Sequence, residues 1–160
     1  FPVLFTRAAN VFGPGQQLYR IIPRTVLFIR LGRKIQLHGG GHSQRSFIHI
    51  EDVSDATYRI AREGRPGETY HISTDRLISI RDLVAMICER MGVRFEDQVE
   101  VVGERLGKDS FYQLDSTRLR TELGWKDRIS LEEGIAQTIA WVNRFLGDLR
   151  SLHFDYIHKA

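Results

Sequence analysis

The sequence predicts an α/β fold, and three observations carry that reading. Strand-like and helix-like segments alternate along the chain. The opening apolar run Val3-Leu4-Phe5 shows no polar alternation, the pattern of a strand covered on both faces in a parallel sheet. Two segments, Ser79 to Asp82 and Ser130 to Glu133, have the form of capping boxes that open helices.

Taken in order, the strand at Val3 to Phe5 leads into a Gly13-Pro14-Gly15 turn. Leu18, Ile22, Val26 and Ile29 hold helical spacing and predict a helix from about Leu18 to Leu31, stopped by Gly32. Pro23 fits only if regular helix begins near Tyr19 or Arg20. Ile35 to His38 and Arg45 to Ile50 read as strands around Gly39-Gly40-Gly41, which reads as a tight hairpin. A helix from Glu51 to Arg62 turns Val53, Ala56, Ile60 and Ala61 inward, with two acids in its first turn.

Thr69 to Ser73 is a strand, and the helix opened by Ser79 runs to Met91 and stops at Gly92. Val99 to Val102 is a further strand. Asp115 or Ser116 caps a short helix ending before Gly124-Trp125. The last helix, opened by Ser130, carries Ile135, Ile139, Val142, Phe145 and Leu146 on one face.

At 160 residues, 42% apolar and 27% charged, the chain has the composition of a globular domain. No apolar run approaches the ~20 residues that span a bilayer. Arg7 follows the first apolar run instead of preceding it, which is not the order of a signal peptide. The single cysteine, Cys88, has no internal partner, which fits a reducing compartment. It falls among Leu83, Val84, Ile87 and Met91 as a buried, inert thiol. The net charge of +3 admits an anionic partner. The basic residues are interleaved with acids, which suits a small phosphorylated ligand better than nucleic acid.

Arg20, Arg45, Arg105 and Lys108 lie at helix starts or beside glycines, where a guanidinium fork and close backbone approach suit a diphosphate; solvated surface charge is the alternative for each. Asn10 follows the first strand, where open α/β sheets place their ligand crevice, and serves equally well as a turn residue. The six histidines match no zinc spacing, so no metal is expected. Ser43, Ser46 and Ser73 have no nucleophile context.

Taken together, these segments resemble one family. Residues 7–14, Arg-Ala-Ala-Asn-Val-Phe-Gly-Pro, resemble the R-x-x-N-x-Y-G-P segment of extended short-chain dehydrogenases acting on nucleotide sugars. Gly39 to Val53 resembles their G-x-G-x-x-x-R-D-[WF]-x-x-V-x-D-V, and Gly67 to Ile72 their G-E-x-Y-N-I. Arg105-Leu106-Gly107-Lys108-Asp109, Leu114-Asp115 and Glu122-Leu123-Gly124-Trp125 follow in the order closest to the dTDP-glucose 4,6-dehydratase subgroup.

The resemblance implies the C-terminal portion of a Rossmann-type NAD(P)-binding fold plus a small α/β substrate-binding lobe. Residues 1–10 and about 51–73 would belong to the Rossmann sheet and its helices. The implied cofactor is NAD, and the implied partner a nucleoside-diphosphate sugar, with no nucleic acid or membrane. The implied full-length protein is a cytoplasmic homodimer. The implied reaction takes hydride from the sugar C4 and eliminates water across C5 and C6. The chain carries neither the family's glycine-rich dinucleotide motif nor its Tyr-x-x-x-Lys pair. It is therefore expected to be the substrate half, inactive alone, lacking its catalytic residues and prone to self-association through unpaired strands.

By position, Asn10, Arg20, Arg45 and Arg105 would face diphosphate or sugar, with Lys108 where a histidine is common. Gln36, His38 and His71 fall where proline, tyrosine and asparagine hold the base. Ala8 and Ala9 would line the nicotinamide end. Ser46 replaces the usual aspartate and Leu106 the usual proline, which leaves a 4-epimerase, a decarboxylase or a non-catalytic binding module open beside the dehydratase.

Overall fold

The computed structural model describes residues 2–104, 107 and 109–155. In chain order the elements are β1 (Phe5–Ala8), β2 (Asn10–Phe12), α1 (Ile21–Arg30), β3 (Ile35–His38), a 3-10 turn (Gly39–Gly41), β4 (Gln44–Arg45), β5 (Phe47–His49), α2 (Ile50–Glu63), β6 (Thr69–Ile72) and β7 (Ile78–Ser79). Then follow α3 (Ile80–Arg90), α4 (Phe95–Gln98), β8 (Val99–Val102), β9 (Phe111–Tyr112), α5 (Thr117–Leu123), α6 (Leu131–Arg144) and α7 (Leu146–Leu149). The chain forms two compact units. The first comprises Phe1–Phe12, Ser43–Ile78 and Asp109–Gly134; the second comprises Gly13–His42, Ser79–Lys108 and Ile135–Ala160.

In the first unit three ladders are parallel: β1 with β6, β2 with β5, and β4 with β9. β1 and β2 are one extended stretch that changes partner at Ala9. Its N–H bonds the Ile72 carbonyl at 2.9 Å, and the next N–H, of Asn10, bonds the Ser46 carbonyl at 3.2 Å. The core gathers Ile48, Ala56, Ile60, Tyr70, Ile72, Leu119 and Trp125. Tyr70 is fully buried, and its hydroxyl donates to Glu122 at 3.2 Å while accepting from the Arg65 N–H at 3.1 Å, so the polar tip of a core ring is satisfied.

Asp52 holds this unit together in a way its place in a helix first turn does not suggest. It is 1% exposed, and its two carboxylate oxygens accept the backbone N–H groups of Arg128 and Ile129, each at 3.0 Å. Its own carbonyl accepts the Trp125 indole N–H at 3.2 Å. Gly134, in the first turn of α6, admits no side chain, because a Cβ there would lie 2.6 Å from the ring of the buried Phe12.

Two expectations at the ends of β1 and α2 fail in this unit. The strand expected at Val3 to Phe5 starts at Phe5, and its apolar residues are not covered on both faces: Val3 is 38% and Phe5 51% exposed. Ala61 is exposed instead of inward, because the buried face of α2 follows Val53, Ala56 and Ile60 and position 61 lies about 100° beyond Ile60.

In the second unit β3 and β8 pair in parallel, Ile35 opposite Val99 through His38 opposite Val102. The core joins Phe28, Ile35, Leu37, Val84 and Cys88. Burial pushes the Cys88 thiol pKa up, in keeping with an inert role. Helix α1 starts at Ile21, three residues later than expected. Pro23 then falls in the first turn, where the missing N–H would have had no helical acceptor. Ser79 accepts the Asp82 N–H at 3.0 Å, and α3 ends before Gly92, whose φ is +70°.

The hairpin expected at Gly39-Gly40-Gly41 is absent: β3 pairs with distant β8, and the three glycines form a 3-10 turn with φ of 56°, 73° and 76°. A Cβ on Gly41 would lie 3.0 Å from the backbone nitrogen of Arg81. The strand expected from Arg45 to Ile50 is two short ones, and Ile50 begins α2. Helix α6 opens as expected, the Glu133 N–H bonding Ser130 Oγ at 3.2 Å, but it ends at Arg144. Phe145 and Leu146 therefore leave its face, and Phe145 is exposed. No helix among the described residues is long and apolar enough to cross a membrane.

Candidate functional site

In the first unit the structure brings Ala8, Ala9 and Asn10 into the stretch where the strand changes partner. Arg45 lies on β4 and His71 on β6. Asn10 is half-buried and doubly tied to one oxygen: besides its backbone N–H, its Nδ2 donates to the Ser46 carbonyl at 3.0 Å. Because a carbonyl can only accept, the amide orientation is fixed, and Oδ1 is turned away as an acceptor. Ala9 is buried in the core and its N–H is used by Ile72; Ala8 packs partly against the same core.

The Arg45 guanidinium donates to the carbonyls of Gln44 at 2.8 Å and Asp109 at 2.5 Å. These bonds hold the fork in place while using two of its five donors. His71 is half-buried, in register with Arg7 of β1. Near it, the Asp115 carboxyl is held below the usual carboxylate value. The main cause is hydrogen bonding from Thr117, whose N–H donates at 2.8 Å, with a smaller contribution from His71.

In the second unit Gln36 and His38 alternate with buried Ile35 and Leu37, so both present to one exposed face of β3. Gln36 is loosely held, its Nε2 lying 3.5 Å from the Glu100 carboxylate. His38 Nδ1 lies 3.2 Å from the Gly103 carbonyl, which can only accept, so this nitrogen is the donor. Arg20 is the exposed residue preceding α1, its guanidinium over the Tyr19 ring. Arg105 and Lys108 lie outside the described residues. Among the described residues no three of His, Cys, Asp and Glu converge as a metal site would require.

Sequence reasoning missed the polar residues beneath Asn10. Ser46 and Ser73 are fully buried with their hydroxyls 3.0 Å apart, and Ser116 and Arg120 reach the Ser73 carbonyl. Each looks like an ordinary polar residue in its own segment, and nothing local signals a cluster assembled across 74 positions from Ser46 to Arg120.

The family model for GDP-mannose 4,6 dehydratase matches residues 1–138. The chain belongs to this family. It is 34% identical over 149 residues to a mouse dTDP-D-glucose 4,6-dehydratase, covering 90% of this chain and 42% of the mouse protein. To a dTDP-glucose 4,6-dehydratase of Streptomyces griseus it is 33% identical, covering 89% of this chain and 43% of that one.

Among solved structures, a dTDP-glucose 4,6-dehydratase of Streptomyces venezuelae with NAD bound superposes with a TM-score of 0.87 at 30% identity, over 91% of this chain and 45% of that one. A UDP-glucose 4-epimerase of Thermotoga maritima with UDP-glucose gives 0.83 at 26%, over 89% and 46%. The chain spans less than half the length of these relatives. The expected Rossmann-type α/β architecture with parallel strands is that of these extended short-chain dehydrogenases, and NAD is the cofactor of the family.

Proposed function

We propose that this chain is the substrate-binding half of an NAD-dependent nucleotide-sugar 4,6-dehydratase, holding a nucleoside-diphosphate sugar for a dinucleotide-binding half. The supporting observation is the placement of Asn10. It follows the carboxyl end of β1, where one extended stretch leaves β6 for β5, and the carboxyl ends of parallel strands are where open α/β sheets bind ligands. The locked amide and the braced Arg45 fork then supply a neutral and a charged anchor for the sugar and the diphosphate.

NAD in this family accepts and returns the hydride at the sugar C4. Among the described residues this chain offers it the backbone edge from Ala8 to Asn10, where the Ala9 N–H is already used by the Ile72 carbonyl. The work of these residues is binding and orientation. A 4-epimerase of the same family is the second reading, supported by the likeness to the Thermotoga maritima enzyme.

Arg45→Ala in the protein expressed from its complete reading frame is expected to cost about 2 kcal/mol of nucleotide-sugar affinity, as for a lost charged, bidentate contact. Calorimetry with dTDP-glucose, UDP-glucose and GDP-mannose measures this and ranks the base. Unchanged affinity for whichever binds tightest would remove the site assignment.

A further inference from the structure

A buried hydrogen-bonded chain runs through the first unit from α5 to Asn10. Arg120 Nη2 donates to the Ser73 carbonyl at 3.1 Å and to Asp127 at 2.7 Å, and its Nε donates to Ser116 Oγ at 3.1 Å. Ser116 donates in turn to the same Ser73 carbonyl at 3.1 Å. The Ser73 hydroxyl lies 3.1 Å from the Thr74 carbonyl and 3.0 Å from the Ser46 hydroxyl. A carbonyl cannot donate, so Ser73 gives its proton to Thr74, and Ser46 gives its proton to Ser73. The donor in every bond is therefore fixed: Arg120 and Ser116 donate to the Ser73 carbonyl, and Ser46 donates to Ser73, which donates to Thr74. Ser46 and Ser73 are fully buried and Ser116 is 3% exposed, so the bonds are shielded from competing water.

The chain ends on the residue whose carbonyl holds both the backbone and the side chain of Asn10. An asparagine amide otherwise turns broadly about its last torsion. Fixing it before a ligand arrives removes an ordering cost from binding. We infer that Arg120 and Ser73 are positioning residues for Asn10: through Ser46 they set where the Asn10 amide meets the nucleotide sugar. This inference rests on the reading of Asn10 as a substrate residue.

The test uses the protein from its complete reading frame, loaded with NAD and titrated with UDP-glucose and dTDP-glucose. Wild type is compared with Asn10→Ala, Ser73→Ala, Arg120→Lys and the Asn10→Ala/Ser73→Ala pair. For the tighter ligand, Asn10→Ala and Ser73→Ala are each expected to weaken binding about tenfold. Arg120→Lys should weaken it about threefold, and the double variant no more than Asn10→Ala alone. If Ser73→Ala does not fold, Ser116→Ala removes a donor from the same carbonyl and should weaken binding about threefold.

A purely structural cluster would lower the melting temperature and leave the affinity of the folded protein unchanged. Full affinity in the folded serine and arginine variants, or losses that add to that of Asn10→Ala, overturns the inference while leaving Asn10 a substrate residue. Unchanged affinity in Asn10→Ala overturns the substrate reading and the inference with it.

Discussion

The surroundings of Asn10 and the outer face of β3 both carry candidate ligand contacts, yet they are built on opposite physical terms. Asn10 sits beside buried serines, an arginine and a core, with its backbone N–H and its side-chain amide both bonded to one carbonyl. Gln36 and His38 stand on an exposed strand face, each with one long or weak tie. Rigid polar groups suit the parts of a ligand that do not vary, such as a diphosphate and a sugar ring. Loosely held side chains suit the part by which relatives differ, the base. The contrast predicts that substitutions in the first region change stability and overall affinity, and those in the second change selectivity.

The largest expected effect comes from Asp52. Asp52→Ala leaves the Arg128 and Ile129 N–H groups without their acceptor beside a buried indole, and should destabilise the protein by about 3 kcal/mol. Urea unfolding measures this. A loss under about 1 kcal/mol would mean that the first region is no more braced than an ordinary surface, and the contrast would break.

Gly39→Ala probes the second region. Its φ of 56° is costly for alanine, and the added Cβ would meet the Glu104 carboxylate. That carboxylate is the far end of a flexible side chain and can shift, so backbone strain of about 1 kcal/mol adds to the cost of whatever contact Glu104 gives up. A loss as large as that of Asp52→Ala would show that the Gly39 turn is as tightly packed as the first unit.

How much of this was legible in the sequence follows the same division between local and distant causes. The sequence predicts β3 and β8 with their observed bounds, and Ser79, Ser130 and either Asp115 or Ser116 as caps, because alternation and capping act within a few residues. The elements of two to four residues β2, β9, α4 and α7 are too short to show a period. The false hairpin arose because the partner of β3 lies 64 positions later, at Val99 to Val102. The role of Asp52 depends on residues 76 and 77 positions away. Motif resemblance singles out Asn10 and Arg45 as candidates; it does not single out the serines around Asn10, since a buried serine looks like an exposed one until the fold is known.

A smaller effect sharpens the selectivity side. Gln36→Ala removes an exposed side chain with a single 3.5 Å contact and should change stability by less than about 0.5 kcal/mol. It should nonetheless reorder the thermal shifts given by UDP-, dTDP- and GDP-sugars, since rank order of stabilisation reports affinity. An unchanged order would move base recognition away from the face of β3.

The smallest expected effect is a pH dependence at Asp115. Its carboxyl is held below the ordinary value of 3.8, chiefly by hydrogen bonds from Thr117 and in lesser part by His71. A carboxyl depressed in the folded state stabilises that state above its unfolded pKa, and this contribution fades as pH falls through the folded value. Asp115 is fully exposed, so solvent screening keeps the effect slight. Asp115→Asn should therefore lie below wild type in melting temperature at neutral pH, with the two curves converging below about pH 4. Curves that stay parallel down to pH 2 would show that the start of α5 draws nothing from this charge.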